Sequence, residues 1–216
     1  MAKLPNIRHT GDFAKYVESI DSKYDCISFY KENEYFSTSE NYSKFTKMVE
    51  KTVRTHPDYK EFISYVKGVI GIDFCQVSSQ IYSSDATIEM HHGPLLTLWD
   101  YVNVILSQFI DEGRKITTFR VADVVLQEHF DLHVQVVMLA KTNHEAVHNR
   151  DIFLNVKQGF GDVSGFIDKY HEYFSDALRY RIIKYLDICK EVESFDNDLF
   201  DSEKVERIVR KDLREY

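Results

Sequence analysis

The sequence predicts an α+β fold, namely a mostly helical single domain that contains a small core of two strands and one helix with helical flanks. Three observations favour it. Apolar residues recur at three- and four-residue steps along much of the chain, as on one face of a helix. Two short apolar runs each lead into a pair of histidines. At 216 residues and 44% hydrophobic, the chain is long enough to bury one core.

The first 80 residues are predicted to be mixed, with one strand followed by two helices. Cys26 to Tyr30 is a short apolar run typical of a strand. Helical spacing covers Tyr42 to Arg54 and then Tyr59 to Ile70. Aromatic residues on the second helix could stack on nucleic-acid bases, but a stripe at helical spacing is more often part of the core. We therefore assign that stripe to the core.

The middle part, residues 81–155, is predicted to be the two-strand, one-helix core, interrupted by a helical insertion at about 99–133. Apolar runs ending in polar residues indicate the strands, and three- to four-residue spacing indicates the helices. The predicted elements are, in order, a strand ending at His92, helices at Leu98 to Ile110 and Thr118 to Phe130, a strand at Val134 to Leu139, and a helix containing His144 and His148.

The last part, residues 156–216, is predicted to be helical. Val163 to Lys190 has amphipathic spacing, which fits one long helix or two helices broken near Ser175. Beyond the acidic stretch from Glu191 to Asp201, a final short helix is charged on most faces. Such a helix is usually only solvated, although it could contact DNA. A protein partner, where there is one, is expected to bind through this C-terminal helical region.

Four of the nine histidines form two pairs, and both pairs suit metal binding. His91 and His92 end the first strand of the core. His144 and His148 are four positions apart, so a helix places both imidazoles on one face. Three of these side chains could hold an ion while the fourth acts as a base. Singly, each pair has a simpler explanation, since a strand histidine can be a buried, hydrogen-bonded residue and a helical pair can be a solvated face.

With these residues in this order, the sequence resembles the HNH endonucleases, which are ββα-metal nucleases. The family pattern is a strand ending in His-His or Asp-His, a second strand, and a helix with two histidines four positions apart. Gln135 aligns with the family's Asn, and Ala140 and Asn143 occupy the places of two zinc-holding cysteines. The gap between the histidine pairs is longer than the family normally shows. The resemblance covers roughly residues 85–150.

The resemblance implies an enzyme that hydrolyses phosphodiester bonds in DNA with one divalent ion. It makes His92 the general base, and Gln135 would hydrogen-bond the loop after His92. It assigns the ion to His91, His144 and His148. Water attacks a phosphodiester slowly at neutral pH, so the reaction needs a base and a cation, and such a site supplies both. Mg²⁺ or Mn²⁺ is expected, and an imidazole shell also admits Zn²⁺ or Ni²⁺.

Two alternatives stay open. The segment from His144 to His148 is also His-Glu-x-x-His, the signature of zinc metalloproteases, in which Glu145 would be the base and a later acid such as Glu172 the third ligand. That hypothesis leaves the first histidine pair without a role. The second alternative is a noncatalytic scaffold derived from the HNH fold, which binds nucleic acid or protein and in which Gln135 and the long insertion mark lost activity.

The net charge of −8 argues against a nucleic-acid partner, because phosphate binding depends on Lys and Arg. A local basic surface can nevertheless coexist with an acidic remainder. The candidates for such a DNA-binding surface are Arg114, Lys115, Lys141 and Arg150. For any one of them, ordinary solubility is the simpler explanation.

The three cysteines predict a reducing compartment. Cys26, Cys75 and Cys189 lie far apart without a Cys-x-x-Cys spacing, so neither a zinc knuckle nor a disulfide framework is expected. The N-terminus lacks an apolar leader, and no run reaches membrane-spanning length. We therefore expect a cytoplasmic protein without membrane association. The composition would suit a bacteriophage-encoded nuclease in the cytoplasm of its host.

Overall fold

The computed structural model describes residues 30–191 and 202–211. The predicted mostly helical single domain with a small sheet is confirmed. The α-helices are α1 (Ser39–Thr55), α2 (Pro57–Gly68), α3 (Leu98–Asp111), α4 (Thr118–Phe130), α5 (Lys141–His148), α6 (Val163–Tyr170), α7 (Asp176–Glu191) and α8 (Ser202–Lys211). The strands are β1 (Ile88–His92) and β2 (Val136–Ala140), and short 3-10 helices cover Asn33–Ser37, Val156–Gln158 and His171–Tyr173. Apart from Tyr30, the strand expected at Cys26 to Tyr30 lies outside the described residues.

One continuous core joins the three parts that the sequence distinguishes. Phe45 of α1, Tyr101 of α3 and Phe166 of α6 are all buried in it. The rings of Tyr101 and Phe166 meet edge to face with centroids 4.6 Å apart, an arrangement that stabilises aromatic pairs beyond their buried area. Since side chains from every part share this core, the chain folds as one unit around it.

The insertion between the strands forms α3 and α4, close to the predicted bounds. Each helix begins at a threonine whose side chain accepts a backbone hydrogen bond, Thr97 before α3 and Thr117 before α4. At α3 the cap is reciprocal, because the Asp100 carboxylate accepts from the Thr97 backbone N–H. Both helices pack against α1. These packed helices, with α2, are called the helical platform below, and β1 meets it where His92 contacts His129 of α4.

The C-terminal amphipathic stretch is two helices, α6 and α7. They are separated by the 3-10 turn His171–Tyr173, and the Ser175 side chain accepts a hydrogen bond from the Leu178 N–H at the start of α7. The break near Ser175 is therefore explained by a local cap that begins a new helix. Within the described ranges, no helix is both long and apolar enough to cross a membrane.

β1 and β2 pair antiparallel, with Ile88 opposite Ala140 and His92 opposite Val136. Burial alternates along β1, whereas every residue of β2 is buried. The far edge of β2 is occupied by other segments: Phe160 exchanges backbone hydrogen bonds with Val136, and Gln76 bonds both backbone groups of Met138. β2 therefore lies inside the molecule, and one face of β1 stays open to the helix that follows β2.

Candidate metal centre

Three imidazoles converge between β1 and α5. The side-chain nitrogens of His91, His144 and His148 include one atom each that lie within 4.8 Å of one another. The Nε2 atoms of His144 and His148 are 3.0 Å apart. Two nitrogens bound to one ion at about 2.1 Å stand about 3.0–3.4 Å apart in octahedral or tetrahedral geometry. The separation of His144 and His148 therefore fits two ligands of one divalent ion, and His91 lies close enough to be a third candidate. The three residues are called the histidine triad below.

The path of the chain explains how residues so far apart in sequence meet. β2 ends at Ala140 and α5 begins at Lys141 without an intervening loop, so the helix folds back against β1. Because strand side chains alternate, Glu89 and His91 share the face of β1 that α5 covers. Helical spacing then presents His144 and His148 to that same face.

Glu89 is a further candidate site residue, which the sequence analysis missed. Its carboxylate lies 2.6 Å from Nδ1 of His144. The carboxylate accepts the Nδ1–H, which leaves the lone pair of Nε2 free to bind a cation. A carboxylate behind a ligating histidine fixes the tautomer and the ring orientation. The signal in the sequence was its position two residues before His91, on the same face of the strand.

The surroundings of His91 and His148 favour their neutral form. Burial, followed by the neighbouring charges of His144 and His148, lowers the pKa of His91 to about 4. Burial, followed by the charge of His144, also lowers the pKa of His148. Neutral imidazole is the form that binds metals. The environment therefore keeps these two ligands in the metal-binding form.

His92 lies on the other face of β1 and is only 4% exposed. Its ring stacks on Tyr59, with centroids 5.9 Å apart, and its Nε2 is 3.0 Å from Nε2 of His129. His129 donates from Nδ1 to the carbonyl oxygen of Val125 at 2.7 Å, so Nε2 of neutral His129 must accept from His92. This leaves Nδ1 of His92 as an acceptor, and it has no hydrogen-bond partner among the described residues.

Gln135 differs from what the resemblance implies. The loop after His92 is tethered, but through the backbone, since the Gly93 N–H donates to the Gln135 carbonyl oxygen at 3.1 Å. The Gln135 side chain is fully buried and donates to the carbonyl oxygen of Val156 at 2.8 Å. The expected hydrogen bond between Gln135 and the loop after His92 is therefore made by the backbone, while the side-chain amide bonds the segment after α5.

A cleft of about 900 Å³ opens beside the triad. Four of its lining residues are Arg or Lys and one, Glu50, is acidic, although the whole chain has 35 acidic and 27 basic residues. The basic residues are Arg54 from α1, Arg150 after α5, and Arg181 and Lys184 from α7. Arg181 also pairs with Asp100 at 2.6 Å. The charge balance of the chain is thus reversed in the cleft, which suits an anionic ligand.

Of the four basic residues predicted to contact DNA, only Arg150 lines this cleft. Lys141 is exposed at the start of α5 and is not part of the lining. Arg114 and Lys115 line a separate hollow of about 280 Å³ next to Tyr30, and Arg114 lies over the ring of Phe109. The predicted surface therefore divides into separate places, because Arg114 and Lys115 follow the C-terminal end of α3 whereas its first residues line the cleft.

The geometry argues against the metalloprotease hypothesis. Glu145 is exposed and does not line the cleft. Glu172 lies in the 3-10 helix His171–Tyr173 and is not part of the histidine cluster. The third member of the cluster is His91, a residue to which the protease hypothesis gives no role.

A second group of possible metal ligands, Glu128 with Asp131 and His133, is better explained as structural. The buried carboxylate of Glu128 already accepts from His133 at 2.7 Å and from Tyr170 at 2.7 Å. It also pairs with Lys169 at 2.5 Å. These donors satisfy the carboxylate and link α4 to α6, so we assign no ion to it.

Comparison with known proteins places the chain among phage proteins. Residues 6–214 match the family model described as bacteriophage G278-like virion protein, and the chain belongs to this family. No curated protein and no solved structure matches it. The expected association with a bacteriophage is supported, whereas the match does not extend to the HNH endonucleases. Nuclease chemistry and a cytoplasmic location stay predictions.

Proposed function

We propose that this protein is a divalent-metal-dependent phosphodiester hydrolase that acts on DNA. The observation that best supports the proposal is the convergence of His91, His144 and His148 from one strand and one helix, with the Glu89 carboxylate behind His144. Three protein ligands leave coordination positions open for phosphate oxygens and water. A bound ion would supply a Lewis acid that stabilises charge on the phosphate and on the departing oxygen.

The cleft supplies the electrostatics of such a reaction. Arg54 is near enough to the triad for its charge to lower the pKa of both His91 and His148. Together with Arg150, it can hold phosphate oxygens beside the triad by charge-assisted hydrogen bonds. The rest of the chain is acidic, which keeps the protein soluble, while the basic cleft attracts the DNA backbone.

His92 is the base in this proposal, acting through Nδ1. The pKa of His92 is held well below its usual value by burial and then by the charge of His129, so the ring is neutral and can accept a proton. Its Nε2–H is already committed to His129, which leaves the unpaired Nδ1 as the accepting atom. In the described structure this atom lies beneath the cleft surface, so water must enter between His92 and the triad to reach it.

A noncatalytic DNA-binding scaffold is the second candidate. The observation that favours it is the burial of His92, since a base shielded from water cannot activate the nucleophile. The family description, a virion protein, suits a protein that binds phage DNA as well as one that cuts it. The two candidates share the metal site and differ only in whether the phosphodiester bond breaks.

The test is cleavage of supercoiled plasmid and of single-stranded circular DNA by metal-free protein to which Mg²⁺, Mn²⁺, Zn²⁺ or Ni²⁺ is returned separately. We expect nicking with at least one ion, and loss of nicking with chelator or in His148→Ala. Glu145→Gln on the same helix is the matched control and should cleave as the unmodified protein does. Metal binding without cleavage by any ion would favour the noncatalytic scaffold.

The role of His92 needs a separate variant. His92→Ala should abolish cleavage while leaving metal binding intact, because His92 is not in the triad. Cleavage that survives in a folded His92→Ala protein would remove His92 from the mechanism. Loss of DNA cleavage in Glu145→Gln would instead make Glu145 the base, which is the role that the metalloprotease hypothesis gives it.

A further inference from the structure

One wall of the cleft is unusually apolar and accessible for a site lined with cations. Phe153 is 40% exposed and Ile188 is 38% exposed, and both line the cleft. The rings of Phe153 and Tyr185 are stacked, with centroids 5.0 Å apart and planes at 26°. Large apolar side chains held in solvent cost free energy that burial against a ligand recovers. This wall, formed by Phe153, Tyr185 and Ile188, is called the aromatic wall below.

The aromatic wall is held rigidly by two elements. On α7, Arg181, Lys184, Tyr185 and Ile188 follow the spacing of one helix face, so the cations and the apolar residues share that face. The Tyr185 hydroxyl donates to the carbonyl oxygen of Leu154 at 2.5 Å. This bond fixes the segment that carries Phe153 to the helix, and the Phe153 ring is placed before any ligand arrives.

The segment after α5 brings the charge next to this wall. Arg150 adopts a left-handed backbone conformation with φ of 68°, and the Asp151 N–H donates to the carbonyl oxygen of Ala146 at 2.8 Å. The chain therefore reverses directly after His148 and returns Arg150 and Phe153 to the cleft. The backbone of Arg150 is therefore strained, because this conformation favours glycine. Backbone strain of this kind tends to be retained beside functional sites.

We propose that the aromatic wall stacks an unpaired base, so that the substrate is single-stranded nucleic acid held with its phosphates toward the triad. This rests on the proposed function for the position of the phosphates. An aromatic face beside cations is the pattern by which single strands are bound without sequence preference. In a duplex, each base face is covered by its neighbours and cannot stack on Phe153. A cleft of about 900 Å³ has the size of a small-ligand site rather than of a double helix.

Binding is measured in chelator, where no hydrolysis occurs, by fluorescence anisotropy of labelled oligonucleotides. The probes are a thymidine single strand, the same strand in a duplex, and an abasic single strand of equal charge. We expect the thymidine strand to bind at least about fivefold more tightly than the other two, since stacking contributes about 1–3 kcal/mol per base. Equal affinity for the abasic strand, or tighter binding of the duplex, would overturn the proposal.

Two further measurements locate the bound strand. Trp99 is the single tryptophan of the chain and lines the cleft, so its fluorescence should change when the thymidine strand binds. Phe153→Ala should weaken binding of that strand about 5- to 100-fold and leave the abasic strand unaffected. Tyr180→Ala removes a more exposed aromatic of α7 that lies outside the cleft lining, and it should change neither affinity. An unchanged Trp99 signal, or an unaffected Phe153→Ala, would place the strand elsewhere.

These outcomes are distinguishable from failure of the proposed function. His148→Ala should retain single-strand binding in chelator even though it loses cleavage, because the aromatic wall does not need the ion. Single-strand preference without cleavage by any ion would sustain the binding inference and reject the hydrolase. Cleavage of duplex and single strand at equal rates, with no effect of Phe153→Ala, would support the hydrolase and reject the single-strand inference.

Discussion

Single contacts at the triad fix which atoms can bind an ion. The Glu89 carboxylate accepts from Nδ1 of His144, and this leaves Nε2 of His144 facing Nε2 of His148 at 3.0 Å. Two nitrogens at that distance repel unless a proton or a cation lies between them. Hydrogen bonding also fixes the roles of the two ring nitrogens of His92. Its Nε2–H donates to His129, and its Nδ1 stays an acceptor. Hydrogen-bond direction therefore determines which nitrogens of the proposed ligands and the proposed base are free to accept.

Glu89→Gln should weaken metal binding about 10- to 100-fold, because loss of a carboxylate behind a ligating histidine has that effect in metal sites. The free energy of unfolding without metal should change little, since the Glu89 side chain is 38% exposed. Isothermal titration with Mn²⁺ or Zn²⁺ measures the affinity, and Glu145→Gln is the control. An unchanged affinity would mean that the bond to His144 does not orient a ligand.

Arg150→Gly should separate stability from binding. A non-glycine residue in the left-handed region costs about 1 kcal/mol, so the variant should be as stable as the unmodified protein or slightly more so in urea unfolding. Its affinity for single-stranded DNA should nevertheless fall, because a cation is lost from the cleft. Arg150→Lys, which keeps the charge, should bind more tightly than Arg150→Gly. A loss of stability in Arg150→Gly would contradict the assigned strain.

β1 is joined to the helical platform by a buried pair of imidazoles. His92 of β1 bonds His129 of α4, and the edge of the His129 ring meets both Tyr59 and Phe62 of α2. Burial lowers the pKa of His129 to about 4. A charged imidazole would be costly in this apolar contact. The packing of the strand on the platform therefore depends on both rings staying neutral.

Acid should destabilise the metal-free protein through this pair. Between pH 6.5 and about 4, His129 binds a proton in the unfolded chain but stays neutral in the folded protein. The contribution of His129 to stability is therefore complete above pH 6.5 and falls as the pH drops. The loss from pH 7.5 to pH 5 should be about 2 kcal/mol for His129, and His92 adds in the same direction. Urea unfolding at the two pH values measures it.

His129→Phe is the matched variant for the acid effect. It removes one titrating ring from an aromatic environment and leaves the His92 donor without its acceptor. We expect lower stability at pH 7.5, by about 1–3 kcal/mol, and a weaker dependence on pH than in the unmodified protein. An equal dependence on pH in both proteins would place the acid sensitivity at other groups.

Across the whole molecule, one core organises an acidic chain around a basic cleft. α1, α7 and the segment after α5 each contribute cations to the cleft, although the chain has a net charge of −8. The triad itself joins β1 to α5, which are separated in sequence by the complete α3–α4 insertion. The three histidines come together only when the insertion is folded and the strands are paired. An ion can therefore bind all three only in the folded protein.

Metal should therefore stabilise the entire fold. An ion at 100 times its dissociation constant adds about 2.7 kcal/mol to a protein that binds it only when folded. The thermal midpoint should rise with Mn²⁺ or Zn²⁺ at pH 7.5 and rise less near pH 4, because protons compete for His91, whose pKa is lowered to about 4. His148→Ala should abolish the rise and Glu145→Gln should keep it. A rise that persists in His148→Ala would show that the ion binds elsewhere.

Helix bounds in the insertion were predicted well because their causes are local. The predicted Thr118 to Phe130 agrees with α4, and the predicted Leu98 to Ile110 falls one residue short of α3. Threonine caps and apolar spacing lie within a few positions of each other, so they can be recognised without the fold. The partner of the Gln135 side chain, Val156, was not predicted because it lies 21 positions away.

The sequence by itself determined the elements of the core and the three histidines that meet there. Strand alternation and the four-residue helical repeat fix which side of an element each side chain occupies. Only the tertiary structure decided what surrounds them. Arg54 and Lys184 reach the cleft from α1 and α7, and His129 pairs with His92, because helices distant in sequence pack side by side. Such neighbours depend on how the whole core fills its space, which no local pattern specifies.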